Sequence, residues 1–179
     1  MKSTLDVTDW RILKELQSDG RITNIALAGR VGISAPPCLR RVRALEEAGV
    51  IEGYRCLIEA KSVGFELTAF AMLGLSSQAE ADLLAFEERV RGWPIVRECH
   101  MLSGETDFIL KCVARDLSGF QDFIINQLTA APNVDSVKTM LAIRRSKYEP
   151  GVPIDDVSGA GEGEVVGAGA GEVADQTIG

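Results

Sequence analysis

The 179-residue sequence predicts an α+β fold in two parts, and three observations carry the prediction. Apolar residues recur at helical spacing in three short segments within the first fifty residues, each closed by a glycine. After residue 65 the pattern changes to alternating runs interleaved with two further helical segments, in the order β-α-β-β-α-β. After Pro153 it changes again, to a Gly/Ala/Glu mixture without aromatics. With 46% hydrophobic and 25% charged residues, the chain has enough apolar surface for one ordinary core or two small ones.

Asp6 or Thr8 caps the first helix, in which Leu5, Trp10, Ile12, Leu13 and Leu16 recur at three- and four-residue steps up to Asp19-Gly20. The second begins after Thr23, takes Ile25, Leu27, Ala28 and Val31 as its apolar residues, and stops at Gly32. Ser34 caps the third. Pro36 and Pro37 stand in its first turn, where missing amide donors cost least, and it runs to Gly49. On it Cys38, Val42, Leu45 and Gly49 form one narrow buried stripe, so Arg40 and Arg43 point away from the core. Arg41 lies on the flank of that stripe, placed to reach a phosphate or a carboxylate such as Glu46. Residues 50–58 read as two short strand-like runs around Gly53, a wing or a linker strand. These signals predict a winged helix-turn-helix over residues 1–52, followed by a strand or linker over 53–65.

Residues 66–77 alternate through Leu67, Ala69, Ala71, Leu73 and Leu75 as a strand, and 78–91 form a helix with Leu83, Phe86 and Val90 inward. Gly92-Trp93-Pro94 ends it. Strands over 95–102 and 107–114 are joined by Ser103-Gly104-Glu105-Thr106, a loop of hairpin length. Asp116 caps a helix with Leu117, Phe120, Ile124 and Leu128 buried, Pro132-Asn133 breaks it, and a last strand over 134–148 places Val137, Thr139, Leu141 and Ile143 on one face. This order over 66–148 is a ferredoxin-like βαββαβ domain with both helices on one side of the sheet. The other side needs a cover, and a homodimer is the simplest.

Charge is distributed unevenly. The net charge is −7, and residues 149–179 alone supply seven acids and no base. That acidic Gly/Ala-rich tail is expected to be disordered, either a solvated tail or an acidic segment that competes with DNA for a basic face. Residues 21–45 contain Arg21, Arg30, Arg40, Arg41 and Arg43 without an acid, while 61–148 are close to neutral with ten bases and eleven acids. Five arginines could simply solvate a helical surface, but here Arg40, Arg41 and Arg43 fall on the third helix of a tightly turned tri-helical unit, the geometry that enters a major groove.

Other classes find little support. No apolar run approaches membrane-spanning length and MKSTLDVTDW lacks the apolar core of a signal peptide, so a cytoplasmic location without membrane association is expected. Cys38, Cys56, Cys99 and Cys112 form no CxxC pair, and His100 is the one histidine, so neither a metal nor a cofactor is expected. Cys38 and Cys99 suit small buried positions. His100 sits on a strand where packing or an interface competes with ligand contact or pH sensing. A ferredoxin-like enzyme is the alternative class, and a small-molecule sensor without DNA binding a third. No Ser/His/Asp set, phosphate loop or paired metal ligands supports catalysis.

In order and spacing, LDVTDWRILKELQSDGRITNIALAGRVGIS, SAPPCLRRVRALEEAGVIEGY, CHMLSGETDFIL and VDSVKTMLAIRR resemble the Lrp/AsnC (leucine-responsive, feast/famine) transcriptional regulators over about residues 5–148. The resemblance implies a double-stranded DNA-binding homodimer, closing there or as a ring of four dimers, with an amino acid or related effector bound by the C-terminal domain. Carried over by position, it makes Ser34, Pro37, Arg40, Arg41 and Arg43 DNA-facing, with Arg21 helping to hold phosphates. It makes Ser103, Gly104, Glu105, Thr106 and Asp107 the effector loop. The Pro36-Pro37 pair departs from the Ser/Ala-richer helix start common in the family, and proline offers no side-chain donor. The loop has its own physical logic: Gly104 admits a ligand close to the backbone, Asp107 offers a carboxylate to an α-ammonium group, and Thr106 with exposed amides offers donors to an α-carboxylate. A plain hairpin turn capped by Asp107 is the other reading.

Overall fold

Asp6 begins the first helix by reciprocal capping: its carboxylate accepts from the Asp9 amide at 2.9 Å, and the Asp9 carboxylate accepts from the Asp6 amide at 3.1 Å. The computed structural model describes residues 5–154, in two units: residues 5–55 with 150–154, and Cys56–Glu149. In the first unit α1 spans Val7–Ser18, α2 spans Asn24–Val31 and α3 spans Ala35–Glu47. Thr23 caps α2 through the Ala26 amide, and Gly32 closes it in the left-handed region at φ 78°. Ile12, Leu27, Ala28, Val31, Cys38 and Leu45 form the buried core, with Leu13, Leu16, Ile33 and Val42 packed around it.

Several expectations for this unit change. Ile25 is 78% exposed, because it lies well round the helix from the stripe of Leu27, Ala28 and Val31. Trp10 is also partly exposed. Ser34 occupies the cap position of α3 but its hydroxyl caps nothing. The reason is chemical: the second and third helical residues are Pro36 and Pro37, which have no N–H for it to accept. No strand forms over residues 50–59. The amides of Val50 and Ile51 are spent on the Leu45 carbonyl at the end of α3, and the Tyr54 hydroxyl donates to Glu46 at 2.9 Å, so this stretch finishes the helix rather than pairing as a wing. Where the chain re-enters this unit, the Gln17 side chain donates to the Val152 carbonyl at 2.7 Å and accepts from the Val152 amide at 3.0 Å. The acidic residues from 155 to 179 lie outside the described residues.

Arg41 is bound within the unit. Its Nη1 lies 2.7 Å from Asp6 Oδ2 and 2.8 Å from Asp9 Oδ1, joining α3 to the capping box of α1, while Glu46 serves Tyr54 instead. Arg30 pairs with Glu15 at 2.8 Å. The stretch that is acid-free in sequence is therefore not acid-free in space.

In the second unit a short 3-10 turn, Ala60–Val63, precedes β1 (Leu67–Leu75), α4 (Glu80–Arg91), β2 (Val96–Met101), β3 (Phe108–Ala114), α5 (Leu117–Phe123), a π-type turn (Ile124–Leu128) and β4 (Val134–Leu141). The sheet order is β2-β3-β1-β4, every neighbour antiparallel, which is the ferredoxin-like arrangement. Ala69, Ala71, Leu73 and Leu75 on β1 and Phe108, Leu110, Cys112 and Ala114 on β3 share the buried face. Phe86, Val90, Trp93, Phe120, Phe123 and Leu128 pack over them. Trp93 stands edge-on to Phe123 at 5.3 Å between centroids, and Phe86 tilts on Phe108 at 4.9 Å. The last strand stops at Leu141 rather than continuing to residue 148, because the β1 ladder opposite runs out: Leu141 pairs with Ala69 and the Ala142 amide takes the Thr68 carbonyl. Ile143 beyond it is fully exposed.

Asn133, at φ 69°, locks β4 to the end of β1: its Oδ1 accepts from Ser76 Oγ and the Ser77 amide, both at 2.7 Å, and its Nδ2 donates to the Ser77 carbonyl at 2.8 Å. Asn133→Ala is expected to cost about 2 kcal/mol in backbone strain and lost hydrogen bonds. Asn133→Gly should cost about 1 kcal/mol less, since glycine accepts that backbone. Urea melts rank the three proteins, and equal losses would remove backbone strain from the account.

The Asp6 carboxyl is held below its usual value of 3.8, chiefly by the Asp9 amide and further by Arg41. A depressed carboxyl stabilises the fold fully above its unfolded pKa and loses that contribution as pH falls through the folded one. Melting temperature is thus expected to drop as pH is taken below about 4, and Asp6→Asn to flatten the drop. The same acid slope in both proteins would locate the sensitive contact elsewhere.

Candidate nucleic-acid interface and effector loop

Burial of Cys38 and Leu45 fixes the roll of α3, and what remains outside is a continuous strip: Pro36, Leu39, Arg40, Arg43, Ala44 and Glu47. Arg40 and Arg43 are exposed and form no ion pair among the described residues. Ser34 stands exposed just before this strip with its hydroxyl uncommitted. Pro37 is half-buried at the helix start, and Arg21 is exposed in the turn between α1 and α2, where its amide donates to Asp19. Arg41 is only partly exposed, and its two carboxylates raise its pKa further above its already high value. Of the sequence-derived residues, α3 turns Arg40 and Arg43 to one exposed side and commits Arg41 to α1, while Ser34 is exposed at its cap position.

Sequence reasoning missed four contributors here. Asp6 was visible as a helix cap, but neither it nor Asp9 as a partner of Arg41. Asn24 donates through Nδ2 to the Ala35 carbonyl at 2.8 Å, pinning the first turn of α3 to the start of α2, while its Oδ1 is buried without a partner among the described residues. Leu39, 39% exposed beside the two arginines, carries no charge pattern to mark it.

The loop over 103–107 joins β2 to β3. Ser103, Gly104 and Glu105 are exposed and Thr106 is half-buried, and none of these side chains is hydrogen-bonded among the described residues. Gly104 has φ 138° with open space where a Cβ would stand, so glycine is required there by backbone and not by crowding. Asp107 departs from expectation. Its Oδ2 accepts from the Leu75 amide at 2.6 Å and its Oδ1 from Gln78 Nε2 at 2.7 Å, while its own amide donates to the Leu73 carbonyl. Both carboxylate oxygens thus hold the loop to the end of β1, each accepting one hydrogen bond and keeping a second lone pair.

Beside the loop, a cleft of about 410 Å³ runs between α4 and β2 and ends at Met101 and Phe108, the residues that bracket the loop. Glu87, Glu98, Arg91 and Arg97 line it with both signs of charge. Burial pushes the thiols of Cys99 and Cys112 up to about 11, which keeps both protonated at neutral pH. His100 is exposed on the helix-free face of the sheet, its Nε2 3.8 Å from Glu98, and Glu98 is held below its usual carboxyl value mainly by Lys111. No group of three His, Cys, Asp or Glu could hold a metal ion among the described residues. No helix among them is long and apolar enough to cross a membrane.

Comparison with known proteins agrees with this geometry. A family model described as winged helix-turn-helix DNA-binding matches residues 5–52, and one described as the Lrp/AsnC ligand binding domain matches residues 68–152. The chain is 62% identical over 143 residues to a leucine-responsive regulatory protein of Rhizobium meliloti, covering 80% of this chain and 92% of the relative. It is 37% identical over 153 residues to the transcriptional regulator AzlB of Bacillus subtilis, covering 86% and 98%. Among solved structures, a transcriptional regulator of Neisseria meningitidis in complex with L-methionine superposes with a TM-score of 0.80 at 36% identity, covering 84% of this chain and 97% of that one. An AsnC-family regulator of Agrobacterium tumefaciens gives 0.78 at 30% identity, covering 83% and 97%. With a reading helix in the first unit, a ligand-binding domain in the second and relatives of this closeness along nearly the full described length, the chain belongs to the Lrp/AsnC family of DNA-binding transcriptional regulators.

Proposed function

We propose that this regulator reads double-stranded DNA with the outer strip of α3 as a homodimer in the cytoplasm, and that an amino acid bound at the 103–107 loop modulates that reading. One observation carries the DNA assignment: the ion pairs inside the first unit take up Arg41 and Arg30 and leave Arg40 and Arg43 exposed on one helix face. Arg40 and Arg43 meet phosphates or base edges, while the Ser34 hydroxyl, with no amide to cap, and the exposed Arg21 hold phosphate. Arg41 is a positioning residue that fixes α3 against α1. No bond is made or broken in this activity.

The homodimer rests on the helix-free sheet face, where Phe70, Met72, Ile109 and Val113 are half-buried apolar side chains and Met140 is exposed. A second copy covers that face by twofold symmetry. The effector is assigned to amino acids on three grounds: the mixed-charge cleft beside the loop, the uncommitted Thr106 hydroxyl and loop amides, and the leucine-responsive name and L-methionine complex of the relatives. The loop amides and Thr106 receive the α-carboxylate. Asp107 shapes the loop and, through the lone pairs left on its oxygens, offers an acceptor to the ammonium group.

Arg40→Ala with Arg43→Ala should weaken DNA binding and reduce the salt slope, log K against log salt, by about 1.8 per protomer if both arginines neutralise phosphates. Fluorescence anisotropy across a salt series measures both, with thermal melting to verify folding. An unchanged slope would move the interface off α3. Thr106→Ala should weaken binding of the effector, sought by calorimetry across an amino-acid panel that includes leucine and methionine, by about tenfold without a change in melting temperature. Equal affinity in both proteins would take the hydroxyl out of the site.

A further inference from the structure

The outer strip of α3 is only partly basic. Pro36, Leu39, Arg40 and Arg43 follow one another at steps of three, one and three residues, so the two apolar side chains share the face that carries the arginines. Leu39 is 39% exposed although the core beneath the helix is already filled by Cys38, Val42 and Leu45. Leu39 belongs neither to that core nor to the residues packed around it. The first turn of the helix is also short of hydrogen-bond donors, since Pro36 and Pro37 have neither an amide hydrogen nor a polar side chain.

Resting on the DNA-binding reading above, we propose that Leu39, with Pro36 beside it, reads thymine C5-methyl groups in the major groove and so sets part of the sequence specificity. The first turns of a recognition helix lie nearest the base edges. Of the major-groove edges, only thymine presents an apolar group; guanine, cytosine and adenine present acceptors and amino donors. Carbon set against those polar atoms strips them of water without returning a hydrogen bond, whereas against a thymine methyl it buries apolar surface on both sides. The arginines beside Leu39 define the occupant. A face with Arg40 and Arg43 next to an apolar contact and free of ion pairs among the described residues suits a polyanion that carries methyl groups, which thymine-containing duplex DNA is.

The test uses the full-length protein and a duplex that it selects from a random pool amplified with dTTP. Affinity is measured at fixed salt for that duplex and for versions in which each thymine in turn is replaced by deoxyuridine, which keeps every hydrogen-bonding group and removes only the methyl. The wild-type protein should lose about fourfold at one or two positions, the worth of one buried methyl group. Leu39→Ala should bind the thymine duplex about as weakly as the wild type binds the uracil one, with no further loss at those positions and an unchanged salt slope. Leu39→Met, still apolar, should retain the discrimination. Equal wild-type affinity for thymine and uracil at every position, or a uracil penalty that survives in Leu39→Ala, overturns the proposal while leaving DNA binding in place. Failure to enrich any duplex overturns the DNA-binding reading and this proposal together.

Discussion

The DNA-facing chemistry of the first unit depends on how α3 is rolled, and burial decides that roll. Cys38 and Leu45 are almost completely enclosed, with Val42 between them against the same core. Enclosing one leucine side chain is worth about 1.5–3 kcal/mol, whereas a partly exposed ion pair is worth about 0–1 kcal/mol. The Arg41 contacts with Asp6 and Asp9 therefore follow from the roll and refine it; they do not set it. Once the stripe is buried, Arg41 falls at the helix flank beside the start of α1, and Arg40 and Arg43 have nowhere to point but outward. The capping carboxylates of α1 thus serve two ends, closing a helix and removing one arginine from the exposed set.

The second unit applies the same rule to a sheet. Strict alternation along β3 and most of β1 sends small alanines and large apolar residues to the helix side, where Phe86, Trp93, Phe120 and Phe123 complete a single core. The opposite side receives Phe70, Met72, Ile109 and Val113 interleaved with Glu98, His100 and Lys111. Lys111 reaches both Glu98 on the neighbouring strand and the ring of Tyr148, 5.9 Å away. A face mixing half-buried apolar groups with satisfied charge pairs is unlike a fully solvated surface, and it fits a partner that brings the same groups in reverse order.

Periodicity and punctuation made most of the architecture legible. The three N-terminal helices, the strand and helix order of the second unit, and the buried stripe of Cys38, Val42 and Leu45 are local patterns, and local patterns are what a sequence displays. What stayed hidden was pairing across distance. Arg41 finds Asp6 and Asp9 from 35 and 32 residues away, and Arg30 finds Glu15 from 15 away, so a stretch counted as acid-free turned out to be partly neutralised. Strand ends were equally hidden, because β4 stops where β1 ceases to offer partners, and no property of residues 142–148 announces that. Residues 50–59 form no strand of their own for a related reason: the amides of Val50 and Ile51 were already claimed by Leu45. Asn133 was readable as a break but not as the residue that ties Ser76 and Ser77 to β4.

Asp107 shows how such hidden pairing shapes the effector loop. A carboxylate next to a threonine hydroxyl would be a natural ammonium site on an isolated hairpin, and here it also holds the last amide of β1 and the Gln78 side chain just before α4. A ligand that took this carboxylate would compete with both donors for its oxygens, which keep further lone pairs. A ligand that engages the Thr106 hydroxyl and the amides around Gly104 releases nothing. It instead tightens a loop whose far end is already fastened to β1, and β1 is fastened through Ser76 and Ser77 to Asn133 and β4. Occupancy of the loop therefore bears on three of the four strands at one end of the sheet. Strand positions at that end also set the shape of the helix-free face, so on the proposed reading a ligand at this loop whose affinity differs between assembled and unassembled forms would act on assembly through this end of the sheet.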